Sequence, residues 1–146
     1  MAILSGIAIA TQKKAKLIEV DHVNISLDYG LEGDARGHKK KRQVTALFKN
    51  DWEDACNQLG TKLHWTERRA NLYISGMSGP QSIGSLIIIG KVQLKISFET
   101  DPCARMDEEY PGLRKALEKH WRGGVCCSVL NSGFIKIGDQ VKLLNK

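Results

Sequence analysis

The feature that most restricts the fold of this chain is a series of short apolar segments, each closed by glycine, proline or a polar turn. Between residues 92 and 98 every second residue is apolar, which is typical of a strand with one buried face. Residues 86–89 form a continuous apolar run before Gly90, which is consistent with a further strand. Because segments this short favour strands over helices, the sequence predicts a mainly β protein.

Further segments have the same strand-like character. They are residues 3–10, 16–20, 23–28, 43–48, 71–75, 125–130, 134–137 and 141–144. We expect 16–20 and 23–28 to pair as a hairpin, because they are adjacent and rich in β-branched residues. So many short strands predict a barrel or a strongly bent sheet.

Two segments have a helical pattern. The first begins near Asp51, where Asn50 can cap the helix and a glutamate follows at the position of a capping box. The second covers residues 111–119, with Pro111 suited to its first turn. The predicted fold is therefore a β-rich α+β fold: one barrel-like domain over residues 1–146 with two or three short helices.

The charge of the chain favours anionic partners, since the net charge is +6 at pH 7 and the pI is about 9.2. Residues 39–42 form a basic run, which suits either a solvated loop or a binding surface. No apolar stretch reaches the roughly 20 residues of a membrane span. Residues 1–10 lack the basic start of a signal peptide. We expect a cytoplasmic protein with no membrane partner.

The four cysteines do not follow a metal-binding pattern, because no two are spaced as Cys-x-x-Cys. Without a secretory signal we expect no disulfide bond. Cys56 lies on the apolar face of the first helix and is predicted to be a core residue. Cys126 and Cys127 are adjacent on a predicted strand, so their side chains should point to opposite faces.

Cys103 is the first candidate for chemistry. It follows directly on the alternating strand, and Pro102 must take the chain out of the sheet, so Cys103 is predicted to lie on a loop at a strand end. Arg105 can favour the reactive thiolate, whereas Asp101 and the acidic residues 107–109 act in the opposite sense. Local chemistry leaves open whether Cys103 is reactive or an inert loop cysteine.

A glycine-rich loop is the second candidate. Residues 30–38 contain three glycines, and Arg36, His38 and the nearby Arg42 can donate charge-assisted hydrogen bonds to phosphate. The ending of a Walker A loop is absent. A flexible basic turn would show the same pattern.

Three further arginines extend the set. Arg68 and Arg69 precede a predicted strand and can either bind an anion or pair with the acidic residues after Cys103. Arg122 precedes two glycines that allow a tight turn, so it can face the same pocket.

Taken in order, these segments resemble the MOSC family. The resemblance runs from about residue 6 to residue 143, and its motifs are specific as an ordered set. The matching residues are Gly30 to Asp34, Gly37 and His38, Arg42 to Thr45, Arg68 and Arg69, Asn71 and Leu72, Gly76, Gly90, Pro102 and Cys103, Arg105, Gly112 and Leu113, Arg122 to Val125, and Ile137 to Asp139. Members of the family include the C-terminal domain of molybdenum cofactor sulfurases, the molybdenum-containing amidoxime-reducing proteins and free-standing bacterial domains linked to N-hydroxylated bases.

The resemblance implies a β-rich, barrel-like fold with a pocket near the family's defining cysteine, which corresponds to Cys103. It implies that Cys103 either carries sulfur as a persulfide or ligates molybdenum, so that Cys103 is both the catalytic and the metal-binding candidate. The implied cofactor is the molybdenum cofactor, an anionic, phosphorylated molybdopterin. The implied cofactor-binding residues are Arg36, His38, Arg42, Arg68, Arg69, Asn71, Arg105 and Arg122.

The sequence contains no segment like the aminotransferase-like domain of the sulfurases or the β-barrel extension of the amidoxime reducers. We therefore expect pyridoxal phosphate to act only through a partner protein. A cysteine desulfurase or a reductase would supply sulfur or electrons. The sequence also departs from the family pattern at Ala70, where many members carry an acidic residue.

Two classes of function follow. The first is a molybdenum-dependent oxidoreductase or sulfur-transfer protein, acting on N-hydroxylated compounds or on metal–sulfur cofactors. The alternative is a non-enzymatic, small basic β-barrel that binds nucleic acid or docks to a protein partner, with no chemical role for Cys103. The chain has only three each of Trp, Tyr and Phe, and they are scattered, which disfavours base stacking on nucleic acid.

Overall fold

The computed structural model of the protein describes residues 1–145. Eleven strands are found in this range: β1 (Ile3–Ile9), β2 (Ile18–Val20), β3 (His22–Ser26), β4 (Gly30–Leu31), β5 (Val44–Phe48), β6 (Leu72–Ser75), β7 (Leu86–Ile89), β8 (Val92–Glu99), β9 (Val125–Asn131), β10 (Gly133–Lys136) and β11 (Val141–Leu144). The α-helices are α1 (Lys49–Gln58), α2 (Arg105–Glu109) and α3 (Leu113–Glu118). Short 3-10 helices cover Lys40–Arg42, Trp65–Arg68 and Lys119–Trp121.

Eight strands form one large sheet in the order β11-β7-β8-β9-β5-β6-β1-β2. Neighbouring strands are antiparallel except β5 and β6, which run parallel and are joined through α1. The alternating segment predicted from the sequence is β8, which pairs with β7 on one side and β9 on the other. The mainly β prediction is confirmed, and the extent of a single domain over residues 1–146 stays a prediction.

The large sheet bends towards a barrel without closing into one continuous ladder. An isolated bridge joins Ile3 to Gln140. Three backbone hydrogen bonds of 2.8–2.9 Å lie beside this bridge. Leu4 donates to Asp139 and accepts from Gly138, and Val141 donates to Ala2. The first strand therefore meets the segment before the last strand along this seam.

A second sheet has the order β10-β3-β4. The predicted hairpin between residues 16–20 and 23–28 is wrong, because β2 pairs with β1 whereas β3 pairs with β10 and β4. Val23 and Ile25 are buried in the apolar core between the two sheets, where Val23 lies opposite Ile135 of β10 and Ile25 lies opposite Gly133. The alternating pattern of β3 thus predicted its buried face correctly but did not identify its partner.

The helices differ from the predictions at their ends. Helix α1 begins at Lys49 with Phe48 in the N-cap position, so Asn50 does not cap it. The carboxylate of Asp51 accepts a hydrogen bond of 2.8 Å from the backbone N–H of Gly79. Helix α2 was not expected, and it begins two residues after Cys103.

Two apolar clusters lie on opposite faces of the large sheet. The central cluster joins the inner faces of both sheets and includes Cys127. The outer cluster packs α1 and α3 against the sheet and includes Cys56. Both cysteines are buried, which was predicted for Cys56. Within residues 1–145 no helix combines the length and the apolar character needed to cross a bilayer.

Candidate functional site

Cys103 lies on the loop that leaves the large sheet after β8, as predicted. Pro102 is buried and Cys103 is exposed. The carbonyl oxygen of Cys103 accepts a hydrogen bond of 3.0 Å from the N–H of Met106, which turns the chain into α2. The thiol is therefore presented at the surface by a short, hydrogen-bonded turn.

A cavity of about 220 Å³ opens beside Cys103. Six of its twelve lining residues are cationic, and none of the carboxylates within residues 1–145 lines it. The lining residues are Lys13, Arg36, Arg42, Thr45, Arg68, Arg69, Ala70, Thr100, Cys103, Arg105, Met106 and Gly123. We call this cavity the arginine pocket. Its charge favours an anionic ligand.

Arg68 is the most deeply buried cation of the pocket, with 7% of its surface exposed. Its Nε donates to the carbonyl of Gly123 at 3.1 Å, and its Nη2 donates to the carbonyl of Thr100 at 2.9 Å. Burial lowers the pKa of Arg68 to about 10, and the charge of Arg42 acts in the same direction. The guanidinium is still protonated at neutral pH. Within the described part of the chain it forms no ion pair with a carboxylate.

Arg69 adopts the left-handed backbone conformation, with a φ of 66°. Such a conformation is uncommon for a residue other than glycine. Its Nη2 donates to the carbonyl of Lys13 at 3.1 Å. Burial, Arg105 and Arg36 all lower the pKa of Arg69. Successive residues of one segment therefore contribute two cations to the same pocket.

Asp34 anchors the glycine-rich loop behind the pocket. Its Oδ1 accepts hydrogen bonds from the backbone N–H of Arg36 at 2.8 Å and from Nε at 3.0 Å. Its Oδ2 accepts from Nη2 of Arg36 at 2.8 Å and from the side-chain amide of Asn71. Burial raises the pKa of Asp34, but the hydrogen bonds and charge of Arg36 outweigh this effect, so the pKa is lowered.

Three of the predicted cofactor-binding residues lie outside the lining of the arginine pocket. His38 is exposed and packs edge-to-face on Tyr29, with ring centroids 6.4 Å apart. Asn71 is buried, and it connects Asp34 to the frame of the sheet. The Nη1 atom of Arg122 donates to Gln58 at 2.8 Å, which ties the segment after α3 to α1. The predicted residues that the structure does bring together are Arg36, Arg42, Arg68, Arg69, Cys103 and Arg105.

Several pocket residues were not predicted from the sequence. Lys13 follows β1, far along the chain from the other cations, and only its place in a basic pair could have indicated it. Thr45 and Thr100 have no chemical signature in sequence. Gly123 has a steric role, because a Cβ there would lie 2.7 Å from the carbonyl oxygen of Thr100 and 3.0 Å from Nη2 of Arg68.

A second thiol lies behind the pocket wall. The Sγ of Cys126 is 3.2 Å from Oγ1 of Thr100 and is buried, whereas Cys127 faces the central cluster. The two cysteines point to opposite faces of β9, as predicted. Burial raises the pKa of Cys126. Cys103 is thus the exposed thiol at this site.

No group of three or more histidine, cysteine or acidic side chains suited to a metal ion occurs within residues 1–145. The pocket fits an anionic group by charge. Its volume is below the roughly 300–1,000 Å³ of typical small-molecule sites, so it can enclose a small anion or one end of a larger anionic ligand.

Comparison with known proteins agrees with this arrangement. Residues 33–142 match the profile of the MOSC domain. The chain belongs to the MOSC domain family. This match covers the glycine-rich loop from Gly33 onward, the Arg68–Arg69 pair and Cys103, and it confirms the resemblance inferred from the sequence. The MOSC domain relates the chain to the molybdenum cofactor sulfurases. No curated protein sequence gives a significant match.

Solved structures share the fold of this MOSC domain. The YuaD protein of Bacillus subtilis superposes with a TM-score of 0.81 at 20% identity, covering 100% of this chain and 97% of that protein. YiiM of Escherichia coli gives a TM-score of 0.76 at 14% identity over 100% of this chain and 71% of its own. YiiM of Geobacillus stearothermophilus gives 0.71 at 16% identity, over 99% and 76%. At these identities the likeness supports the fold alone.

Proposed function

We propose that this MOSC domain binds the anionic molybdenum cofactor in the arginine pocket, with Cys103 at the opening as the thiol that takes part in its chemistry. The observation that carries the proposal is the composition of the pocket wall. Among the residues that the structure describes, six cationic side chains and no carboxylate line a cavity beside an exposed cysteine. Such a site lowers the free energy of a bound anion.

The cations would hold different parts of the ligand. Arg68, buried without a carboxylate partner in the described chain, would face the enclosed negative charge. Arg42 and Lys13 are exposed at the mouth and would contact the part of the ligand outside the cavity. Arginine is suited to this role because its planar fork can donate two parallel hydrogen bonds to one phosphate.

Cys103 would ligate the metal of the bound cofactor through its thiolate, a soft ligand of the kind that many transition metals accept. When bound, the molybdenum centre would supply redox chemistry, of the kind needed to reduce N-hydroxylated compounds. The protein's own contribution would be to bind the anion, fix its orientation and present one sulfur ligand. Electrons would come from a reductase partner.

Sulfur transfer is the second candidate, and the exposure of Cys103 favours it. An exposed thiolate can attack the outer sulfur of a persulfide on a cysteine desulfurase. A new S–S bond to Cys103 forms as the donor S–S bond breaks, and the donor cysteine leaves as a thiolate. Transfer of that sulfur to a metal–sulfur cofactor would then restore the Cys103 thiolate if the acceptor supplies the electron pair.

The two candidates are separated by analysing protein purified from a host supplied with molybdate. Elemental mass spectrometry measures bound molybdenum, and mass spectrometry of the Cys103 peptide measures persulfide. Cofactor binding predicts molybdenum that is lost in Cys103→Ser and Arg68→Met. Sulfur transfer predicts persulfide on Cys103 after incubation with a cysteine desulfurase and cysteine.

Matched variants serve as controls. Cys56→Ala removes a buried thiol from the outer cluster, and Lys41→Ala removes a cation that neighbours Arg42 but does not line the pocket. Both should leave the signals unchanged. Absence of molybdenum and persulfide in the wild-type protein would refute the proposal. Salt-dependent binding of an oligonucleotide by such a protein would support the non-enzymatic basic barrel instead.

A further inference from the structure

We infer that Asp34 is a positioning residue of the arginine pocket, which acts through Arg36 to fix the backbone turn that places Arg68 and Arg69 in the wall. The inference rests on the proposed function, because it assumes that this wall binds an anion. The resemblance to the MOSC family implied that Arg36 binds the ligand and assigned no role to Asp34. The hydrogen bonds indicate instead that Asp34 positions Arg36 and that Arg36 supports the backbone of Arg69.

The guanidinium of Arg36 is already engaged by the protein on three nitrogens. Nε and Nη2 donate to the two oxygens of Asp34, at 3.0 and 2.8 Å. Nη1 donates to the carbonyl oxygen of Arg69 at 2.7 Å. This fork-to-carboxylate geometry holds Arg36 in one orientation and offsets much of its charge. Arg36 therefore connects Asp34 to the backbone of Arg69.

The backbone of Arg69 needs such support. Its left-handed conformation costs free energy for a residue with a Cβ atom, and it persists only where the surroundings fix it. The hydrogen bond from Arg36 holds the Arg69 carbonyl in one position within this turn. Because Arg68 immediately precedes this turn, its inward direction depends on the same contact.

The side chain of Asp34 is itself held in place by hydrogen bonds that connect it to the sheet. The amide of Asn71 donates to Oδ2 of Asp34 and to the carbonyl of Ala8 at 3.2 Å. The Oδ1 atom of Asn71 accepts from the N–H of Thr45 at 3.0 Å. The side chain of Asp34 is 2% exposed. The linkage thus runs from β1 and β5 through Asn71, Asp34 and Arg36 to Arg69.

The test measures binding of inorganic phosphate by titration calorimetry at constant ionic strength. We expect Asp34→Asn to weaken phosphate binding by about tenfold, although it removes a negative charge near an anion site. Glu32→Gln is the matched control, because it removes an exposed carboxylate of the same loop, which accepts a hydrogen bond from the side chain of Asn24. We expect Glu32→Gln to change the affinity by less than about twofold.

A double-mutant cycle shows whether Asp34 acts through Arg36. Arg36→Lys retains the positive charge but cannot reach Asp34 and Arg69 with one planar fork. The Asp34→Asn, Arg36→Lys double variant should bind phosphate no more weakly than either single variant. Additive losses would overturn the inference, as would tighter binding by Asp34→Asn. If Asp34→Asn does not fold, Arg36→Lys decides in the same assay, and unchanged affinity would count against the inference.

A second readout separates failure of this inference from failure of the proposed function. The rate of Cys103 alkylation by anionic iodoacetate, divided by the rate with neutral iodoacetamide, reports the potential at the thiol. The inference predicts a lower ratio in Asp34→Asn, whereas simple loss of a negative charge predicts a higher one. Wild-type protein that binds no phosphate would refute the anion site, and the rate ratio would still decide the role of Asp34.

Discussion

Arg68 and Thr100 form the closest link between the buried cation and the end of the strand that leads to Cys103. The Nη2 atom of Arg68 donates a hydrogen bond of 2.9 Å to the carbonyl oxygen of Thr100, three residues before the thiol. Because Thr100 immediately follows β8, the position of the guanidinium depends on the course of that strand. Changes that move either residue should therefore affect the pocket and the Cys103 loop together.

We expect Arg68→Met to weaken anion binding strongly with little change in stability. Removing a buried cation relieves a desolvation cost of several kcal/mol. It also leaves the carbonyls of Gly123 and Thr100 without donors, at about 1–3 kcal/mol each. The two effects oppose each other, so the free energy of unfolding in urea should change by less than about 2 kcal/mol. Phosphate affinity should fall at least about tenfold.

The control for this prediction is Arg114→Met, which removes an exposed arginine of α3 outside the pocket. Its phosphate affinity should match that of the wild type. Unchanged affinity in Arg68→Met would show that Arg68 is only a structural residue.

Asp34→Asn should change stability in a pH-dependent way. The pKa of Asp34 is lowered from 3.8 in the folded protein, so its carboxylate stabilises the fold above that value and loses this effect as the pH falls through the lowered pKa. We expect the variant to be about 1–3 kcal/mol less stable at pH 7. The difference from the wild type should shrink below about pH 4 in urea unfolding measurements. A difference that grows on acidification would contradict the assigned direction.

Native protein should show one rapidly reacting thiol with a colorimetric disulfide reagent. Cys103 is exposed, whereas Cys56, Cys126 and Cys127 are buried. Cys103→Ser should remove the fast phase, and the other three thiols should react only after unfolding. Saturating phosphate should slow the fast phase if the anion occupies the arginine pocket. More than one fast thiol in the folded wild type would contradict the burial of the other cysteines.

Gly123→Ala should weaken anion binding through a steric effect. The added methyl group would displace the Thr100 carbonyl or the guanidinium of Arg68, since both lie within 3.0 Å of its position. We expect a loss of about tenfold in phosphate affinity and about 1–3 kcal/mol in stability. Gly90→Ala is a suitable control because no atom lies within 4 Å of its Cβ, although its φ of 59° also disfavours alanine. The control should lose stability and retain binding.

The sequence predicted the buried faces of the strands better than their partners. Alternation in β3 follows from burial of Val23 and Ile25, a property of the strand alone. Its pairing with β10 depends on residues more than 100 positions away, which no local pattern contains. Helix α2 escaped prediction because five residues with a single buried side chain, Met106, show no helical period.

The sequence predicted most of the charged residues of the pocket but not their burial. Motif order identified Cys103 and five of the arginines that line the cavity with it or support it. The burial of Arg68 could not be predicted, because arginine is mostly exposed and its partners here are carbonyl groups. Lys13 follows β1, and the pairing of β1 with β6 brings it close to the segment that carries Arg68 and Arg69.

The seam between the start of β1 and residues 138–141 has a consequence for folding during synthesis. The carbonyl of Ala2 and both backbone groups of Leu4 find their partners at Gly138, Asp139 and Val141. During synthesis these backbone groups remain hydrated and without these partners until the roughly 130 intervening residues have been translated. The middle strands can form while the chain is still on the ribosome. The contacts between the start of β1 and residues 138–141 can form only after the last strand has left the exit tunnel.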